Sequence, residues 1–107
     1  MKLKTYILVV TCIMIYASCQ QSGVQLSNDT DMLKYGQSLY GRHCISCHGD
    51  SGDAMLNNAT NLTTIKKDVN DIGDVIFHGK NSMPPYKELL GEPEIRAVSL
   101  YCKSLQK

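Results

Sequence analysis

The residues Cys44-Ile45-Ser46-Cys47-His48 (CISCH) decide the fold of this chain of 107 residues. Two cysteines three positions apart place their thiols on one side of a helical turn, and a histidine follows directly. Two sulfurs and an imidazole held this close together can bind a metal ion, form a disulfide or attach a cofactor. The rest of the sequence discriminates between these interpretations.

Zinc binding, redox exchange and a plain disulfide fit the surrounding sequence poorly. A zinc site needs four ligands, usually as two separated pairs, and the candidates stand too close together: Cys44, Cys47, His48 and His43. A thioredoxin-like redox pair belongs in a βαβ unit, and no strand pattern is present. A disulfide between Cys44 and Cys47 would leave a thin core unexplained, because the chain has one Phe and no Trp.

Covalent attachment of haem fits both the motif and the thin core. The thiols of Cys44 and Cys47 can add to the two vinyl groups of one haem, and His48 is then placed to ligate the iron. The bound cofactor also supplies interior that so small a chain lacks. The motif therefore predicts one haem c, with His48 as a metal ligand.

Apolar residues recur at helical spacing on both sides of the motif. The first helix is expected to start near Thr30, with Thr30 or Asp31 as its cap, and the second to end at Gly79. The last and most regular helix begins at Glu92–Glu94, and Pro84-Pro85 precede it in a stiff loop. With no alternating strand pattern and no repeat, the predicted class is all-α, with three to four helices and long loops.

Four segments share a resemblance with one family. They are residues 36–49 (GQSLYGRHCISCHG), 59–62 (ATNL), 71–86 (DIGDVIFHGKNSMPPY) and 94–105 (EIRAVSLYCKSL). Together they resemble the small class I cytochromes c, and the resemblance extends over residues 35–105. It implies the small cytochrome c fold around one covalent haem. It also implies thioethers at Cys44 and Cys47, with His48 as proximal and Met83 as distal iron ligand.

The same resemblance bears on how the helices cross. In that family the first and last helices meet at a glycine and an aromatic residue, and Gly36 and Tyr101 occupy the matching positions. This chain has Thr60 where relatives often have a proline whose carbonyl bonds the proximal imidazole. Since any backbone carbonyl can accept such a bond, the Thr60 carbonyl can do so.

The distal position on the iron has several candidates besides Met83. They are Met32, Met55, His43 and His78. The first three are better explained as a core residue, a pocket residue and a solvated residue, in that order. His78 is the serious alternative, because imidazole binds iron well, although a solvated histidine also suits a helix C-terminus. Met83 is favoured, since the chain has room to cross to the opposite face and Pro84-Pro85 restrict its backbone.

Iron with two side-chain ligands has no vacant position for a substrate, which favours electron transfer. The predicted function is a single-electron carrier between redox partner proteins. Two alternatives stay open: a haem enzyme or gas-binding sensor with a labile Met83, and a tethered subunit of a larger oxidase or dehydrogenase. A formal net charge of +1 gives no support to nucleic-acid binding.

The N-terminal residues have the pattern of a secretory signal. Lys2 and Lys4 precede an apolar run from Tyr6 to Tyr16. The sequence Tyr16-Ala17-Ser18-Cys19 resembles a bacterial lipoprotein box, in which the chain is cut before the cysteine and lipid is attached to its sulfur. An ordinary secretory cut, leaving the protein soluble in the periplasm, is the alternative.

These patterns divide the chain into three parts. We expect a signal peptide over residues 1–18, a flexible tether with lipidated Cys19 over residues 19–29, and the cytochrome c domain over residues 30–107. The expected location is the periplasmic side of a bacterial membrane, where a lipid anchor would hold the protein. Haem attachment there implies a cytochrome c maturation machinery as a partner.

Other side chains carry secondary expectations. A docking rim for an acidic partner can be formed by Lys66, Lys67, Lys80 and Lys87, although scattered surface charge is the simpler explanation. Cys102 is expected to be a small buried hydrophobic residue rather than to form an intermolecular disulfide. The residues expected to be buried around the haem are Leu56, Leu62, Ile65, Ile76, Phe77 and Leu89.

Overall fold

The computed structural model describes residues 28–107, and this part of the chain is helical. Its helices are α1 (Asp29–His43), α2 (Ile45–His48), α3 (Val69–His78) and α4 (Glu92–Ser104), with a 3₁₀ turn at Leu56–Asn58. Within these residues no strand forms, and an isolated bridge joins Lys80 to Met83. The predicted all-α class is confirmed. The signal peptide, Cys19 and most of the predicted tether lie outside the described residues.

The start of α1 differs from the prediction. Asn28 has extended backbone, and its side-chain oxygen accepts a hydrogen bond from the Asp31 amide at 2.7 Å. The expected cap at Thr30 or Asp31 is therefore wrong, because both residues lie inside the helix. The sequence offered several good caps in succession, and acidic side chains in the first turn suit a start at any of them.

α1 and α4 cross at Gly36 and Tyr101, as predicted. A Cβ atom on Gly36 would overlap the backbone carbonyl of Ala97 and would lie 3.2 Å from Tyr101 Cβ. The ring of Tyr101 lies tilted against that of Tyr40, with 5.1 Å between the ring centroids. Only glycine lets the two helix backbones approach this closely.

The hydrophobic core forms where α1 and α3 pack on α4. Its buried members are Leu39, Tyr40, Leu62, Ile72, Ile76, Leu90, Ile95, Ala97, Val98 and Cys102. Burial raises the pKa of the Cys102 thiol to about 12, so this cysteine stays neutral and packs as a small hydrophobic residue, as predicted. None of the helices in residues 28–107 has the length and apolar character needed to cross a bilayer.

Candidate functional site

The CISCH motif lies at the junction of α1 and α2. The Cys44 amide donates to the Tyr40 carbonyl at 2.9 Å, which closes the last turn of α1. The Cys44 carbonyl accepts hydrogen bonds from the amides of Cys47 at 3.2 Å and His48 at 2.9 Å. Both cysteines of the motif are free thiols. The tight turn therefore presents two thiols and an imidazole from five consecutive residues.

The environment of the thiols bears on the alternative interpretations. Burial, together with the nearby Cys47, raises the pKa of the Cys44 thiol to about 11. A redox-exchange cysteine needs a lowered pKa, because the thiolate is the nucleophile. In addition, no group of three or more His, Cys, Asp or Glu side chains within residues 28–107 is arranged to hold a metal ion. Thioredoxin-like exchange and zinc binding are both without support.

His48 is held in one orientation by a hydrogen bond across the following loop. The residue is 8% exposed, and Nδ1 lies 3.0 Å from the carbonyl oxygen of Thr60. A carbonyl oxygen only accepts, so Nδ1 carries the proton of this bond, and in the neutral imidazole Nε2 then has the lone pair. Imidazole ligands of metals are usually fixed in this way by a bond from their other nitrogen. The Thr60 carbonyl thus accepts the hydrogen bond from the imidazole, as the sequence analysis expected.

The loop after His48 turns back sharply, which brings Thr60 to the imidazole. Gly49 ends α2 with a φ of 75°, and a Cβ atom there would lie 2.6 Å from Ala54 Cβ. The buried Tyr40 hydroxyl donates to the Gly49 carbonyl at 2.6 Å, so α1 fixes the start of the turn. The Ala54 amide then donates to the His48 carbonyl at 3.0 Å and closes it.

Met83 lies in the loop between α3 and α4, and backbone hydrogen bonds to Lys80 fix its position near the start of that loop. Its amide donates to the Lys80 carbonyl at 3.0 Å, and the Lys80 amide donates back to Met83 at 3.1 Å. Gly79 ends α3 as predicted, with a φ of 73°. A Cβ atom on Gly79 would lie 2.6 Å from the Met83 carbonyl oxygen. Met83 itself is half-buried and packs against the core.

Two contacts that the sequence did not indicate tie the Met83 loop to the motif. The Tyr86 hydroxyl donates to the carbonyl of His43, next to the motif, at 3.0 Å. The Ser82 hydroxyl donates to the Asn57 carbonyl at 3.0 Å, and Asn57 Nδ2 lies 3.7 Å from Cys47 Sγ. Both contacts end on backbone carbonyls far away in sequence, so no local pattern signals them.

His78, the alternative distal ligand, is exposed at the C-terminal end of α3. It lines a shallow groove of about 490 Å³ between α3 and α4, together with Asp74, Glu92 and Arg96. None of Cys44, Cys47, His48 and Met83 lines this groove. The ring of His78 packs edge-on against Phe77, with 4.8 Å between the centroids. Met83 therefore stays the predicted distal ligand, and its neighbour Ser82 contacts the loop that follows the motif.

Some of the predicted haem surroundings are exposed. Among residues 28–107, three large apolar residues outside the α-helices are exposed to solvent. They are Met55, Leu56 and Leu89, which are 56%, 54% and 62% exposed. The protein itself does not cover Leu56 and Leu89, so their burial around the haem stays a prediction. Leu62 and Ile76 are buried, while Ile65 and Phe77 are half-buried against the core. Met55 has left-handed backbone with a φ of 50°. Few residues other than glycine adopt this conformation, and it changes the direction of the loop here.

The four lysines of the predicted docking rim fall into two groups by their contacts. The Lys66 ammonium donates to the Lys107 carbonyl at 2.6 Å. The Lys67 carbonyl accepts from Lys103 Nζ at 2.8 Å, so this pair contacts the last turn of α4 and Lys107. Lys80 and Lys87 lie on the loop that carries Met83.

The amino-acid sequence of the chain matches a known protein family. Residues 31–101 match the family model described as "Cytochrome C oxidase, cbb3-type, subunit III". The chain belongs to this family of c-type cytochromes. A protein described as "Cytochrome c6-like", from Nostoc sp. (strain PCC 7120 / SAG 25.82 / UTEX 2576), is 33% identical over 72 residues. The match covers 62% of this chain and 64% of the relative's length. No solved structure matches the chain.

Haem c is the cofactor of this electron-transfer cytochrome, as predicted. The described residues fit that group. Cys44 and Cys47 offer two free thiols on one turn, and His48 offers a free Nε2 on an oriented ring. The thioether of Met83 is a soft donor, which suits ferrous iron. It lies on a loop that hydrogen bonds between Lys80 and Met83 restrict. The small cytochrome c fold that the resemblance implied is confirmed by the helix order and the family match.

Proposed function

We propose that the chain is a membrane-tethered cytochrome c with one haem that carries single electrons between redox partners. Cys44 and Cys47 hold the haem by thioethers, and His48 and Met83 are the axial ligands of its iron. The observation that carries the proposal is the His48 ring, whose Nδ1 is engaged by the Thr60 carbonyl while Nε2 is free. The haem supplies one-electron chemistry, and the protein orients it and limits access of water.

The Met83 ligand distinguishes a carrier from a haem enzyme or gas sensor. Two strong axial ligands leave no position for an exogenous substrate. A thioether ligand also favours the ferrous state, so the reduction potential should lie above that of a bis-histidine haem. The hydrogen bonds between Met83 and Lys80 support this assignment, because they restrict the loop that presents the sulfur.

The proposed location is the periplasmic side of a bacterial membrane, with lipid on Cys19 as the anchor. The apolar run, the lipoprotein-like box and the secreted site of haem attachment support it. A cytochrome c maturation machinery is then an obligatory partner. Lys80 and Lys87 are the proposed contacts for an acidic face of a redox partner, since they share the loop that carries Met83.

Replacement of Met83 tests the proposed ligation. Met83→Ala should abolish the iron–sulfur charge-transfer absorption of the oxidised protein, because it removes the proposed sulfur ligand. His78→Ala and Met55→Ala are matched controls, since His78 lines a separate groove and Met55 is exposed. Survival of the absorption in Met83→Ala would exclude Met83, and its loss in His78→Ala would point to a different site. Mass spectrometry of the mature protein from its native host would report the haem and lipid additions together.

A second candidate function is a cytochrome subunit of a larger oxidase. The family to which the chain belongs is described by such a subunit, and this supports the candidate. Solubilisation of native membranes in mild detergent, followed by size separation, discriminates the two. Co-migration of the haem-bearing chain with a large complex at fixed stoichiometry favours the subunit, and migration as a small protein favours the carrier.

A further inference from the structure

We propose that Ser82 is a positioning residue that, through Asn57, keeps the Met83 loop closed over the iron. The Cys47–Asn57–Ser82 connection is called the strap below. It would link Cys47, which would hold the haem, to the loop that would present Met83 to the iron. The inference rests on the proposed function, because it takes Met83 as the distal ligand.

The strap consists of two side-chain hydrogen bonds in series. The Ser82 hydroxyl donates to the Asn57 carbonyl at 3.0 Å, between residues 25 positions apart. The Asn57 amide nitrogen Nδ2 lies 3.7 Å from Cys47 Sγ, within reach of the larger sulfur atom. A thioether sulfur remains a weak acceptor, so this bond survives conversion of the thiol. Ser82 immediately precedes Met83, and any movement of the strap therefore reaches the ligand.

The strap connects two short turns, one around Asn57 in its middle and one around Asn81 next to Ser82. Asn57 has left-handed backbone, with φ 52° and ψ 36°, and the Ala59 amide closes its turn on the Leu56 carbonyl at 2.9 Å. Asn81 is also left-handed, with a φ of 54°, in the turn that the bonds between Lys80 and Met83 close. Asparagine tolerates this conformation better than most residues. The strap thus joins two preorganised turns, and little freedom remains to be lost when its bonds form.

An exogenous ligand would take the place of Met83 on the iron, and movement of the Met83 loop away from Asn57 would favour that exchange. Each strap bond opposes that movement. Loss of one exposed hydrogen bond should raise the apparent affinity of the oxidised protein for imidazole roughly two- to fivefold. Because the bonds act in series, breaking either one should release the loop about equally.

The test is imidazole titration of the haem-loaded protein, followed through the iron–sulfur charge-transfer absorption. Ser82→Ala should bind imidazole roughly two- to fivefold more tightly than wild type. Ser82→Thr, which keeps a hydroxyl, should restore the wild-type affinity. Ser104→Ala is the matched control, since the Ser104 hydroxyl is exposed and bonds only locally to the Tyr101 carbonyl at 2.6 Å.

Asn57→Gly provides the second arm, because glycine keeps the left-handed backbone and the carbonyl that Ser82 needs. Asn57→Gly should raise the imidazole affinity as much as Ser82→Ala does. The double variant should bind imidazole no more tightly than either single variant. Unchanged imidazole affinity in Ser82→Ala, or additive effects in the double variant, would overturn the strap while leaving Met83 as ligand. An absent charge-transfer band in wild type would overturn the Met83 assignment itself, and the strap with it.

Discussion

His48 donates a hydrogen bond from Nδ1 to the backbone carbonyl of Thr60, 3.0 Å away and 12 residues further along the chain. The acceptor is a main-chain atom, so the bond depends on the path of the loop and not on the side chain at position 60. Related cytochromes often have a proline there, which supplies the same carbonyl. The bond fixes which imidazole nitrogen faces the iron in the proposed haem site.

Substitution at Thr60 should therefore leave the haem environment unchanged. Thr60→Ala and Thr60→Pro should keep the visible spectrum and the reduction potential of wild type, with unfolding free energies within about 0.5 kcal/mol of it, because the side chain is exposed. Proline is compatible with the preceding residue, since Ala59 is extended with φ −62° and ψ 140°. A clear change in potential in Thr60→Ala would show that the side chain, and not the carbonyl, governs His48.

The crossing of α1 and α4 depends on the missing side chain of Gly36. Gly36→Ala should lower the unfolding free energy by about 1–3 kcal/mol, because the new Cβ atom overlaps the Ala97 carbonyl and the helices must separate. Gly41 lies on the same helix, and a Cβ atom there would meet nothing within 4 Å, so Gly41→Ala should stabilise by about 0.5–1 kcal/mol. Chemical unfolding of the haem-loaded variants measures both. Equal effects at the two glycines would contradict a close crossing at Gly36.

The predictable features of the fold depend on local chemistry or on adjacency in the chain. Gly79 and the segment Glu92–Glu94 mark helix ends correctly, because a positive φ and an N-terminal proline with acidic neighbours each suit one position. The motif Cys44–His48 is likewise held together by five consecutive residues, whatever the rest of the chain does. The family resemblance supplied the Gly36 crossing, which local patterns do not reveal.

The path of the loop between α2 and α3 was not predictable in the same way. Left-handed residues such as Met55 and Asn57 set its direction, and no periodic pattern describes a succession of such turns. Hence the bond from Ser82 to the Asn57 carbonyl was not predicted. A contact between a hydroxyl and a distant backbone carbonyl leaves no signature in composition or spacing.

The carboxylate of Glu94 should make stability depend on pH. Its oxygens accept hydrogen bonds from the Gly91 amide at 2.7 Å and from the Tyr35 hydroxyl at 3.0 Å, and these bonds lower the pKa of Glu94. Because the folded pKa lies below the unfolded value of about 4.3, ionised Glu94 stabilises the fold above that pH. The contribution is lost as pH falls through the lower folded value.

Glu94→Gln should accordingly be less stable than wild type at pH 7, by about 0.5 kcal/mol, since solvent screens a group so close to the surface. The difference should shrink as the pH falls below about 4. Thermal unfolding of the haem-loaded proteins at pH 7 and at low pH measures it. Glu88→Gln, on an exposed residue of the preceding loop, is the control and should show no such convergence. If the stability difference between Glu94→Gln and wild type were the same at low pH as at pH 7, the charge of Glu94 would not be its cause.

Gly79 controls how closely the Met83 loop returns to the end of α3. A Cβ atom there would lie 2.6 Å from the Met83 carbonyl oxygen and 2.8 Å from Pro85 N, at a φ of 73° that other residues rarely adopt. Gly79→Ala should push the loop outward and weaken the iron–sulfur charge-transfer absorption of the oxidised protein. The backbone strain and overlap should also cost about 1–3 kcal/mol of unfolding free energy.

Gly91→Ala is the matched control for that substitution, because its φ is −72° and the nearest atom to the new Cβ, Glu94 Oε2, is 3.6 Å away. It should keep the absorption and lose well under 1 kcal/mol. The spectrum of Gly79→Ala must be recorded where the variant is still folded, since unfolding alone would release Met83. A folded Gly79→Ala with the full absorption would mean that the Met83 sulfur reaches the iron independently of the Gly79 turn, and the loop base would then have no part in presenting the ligand.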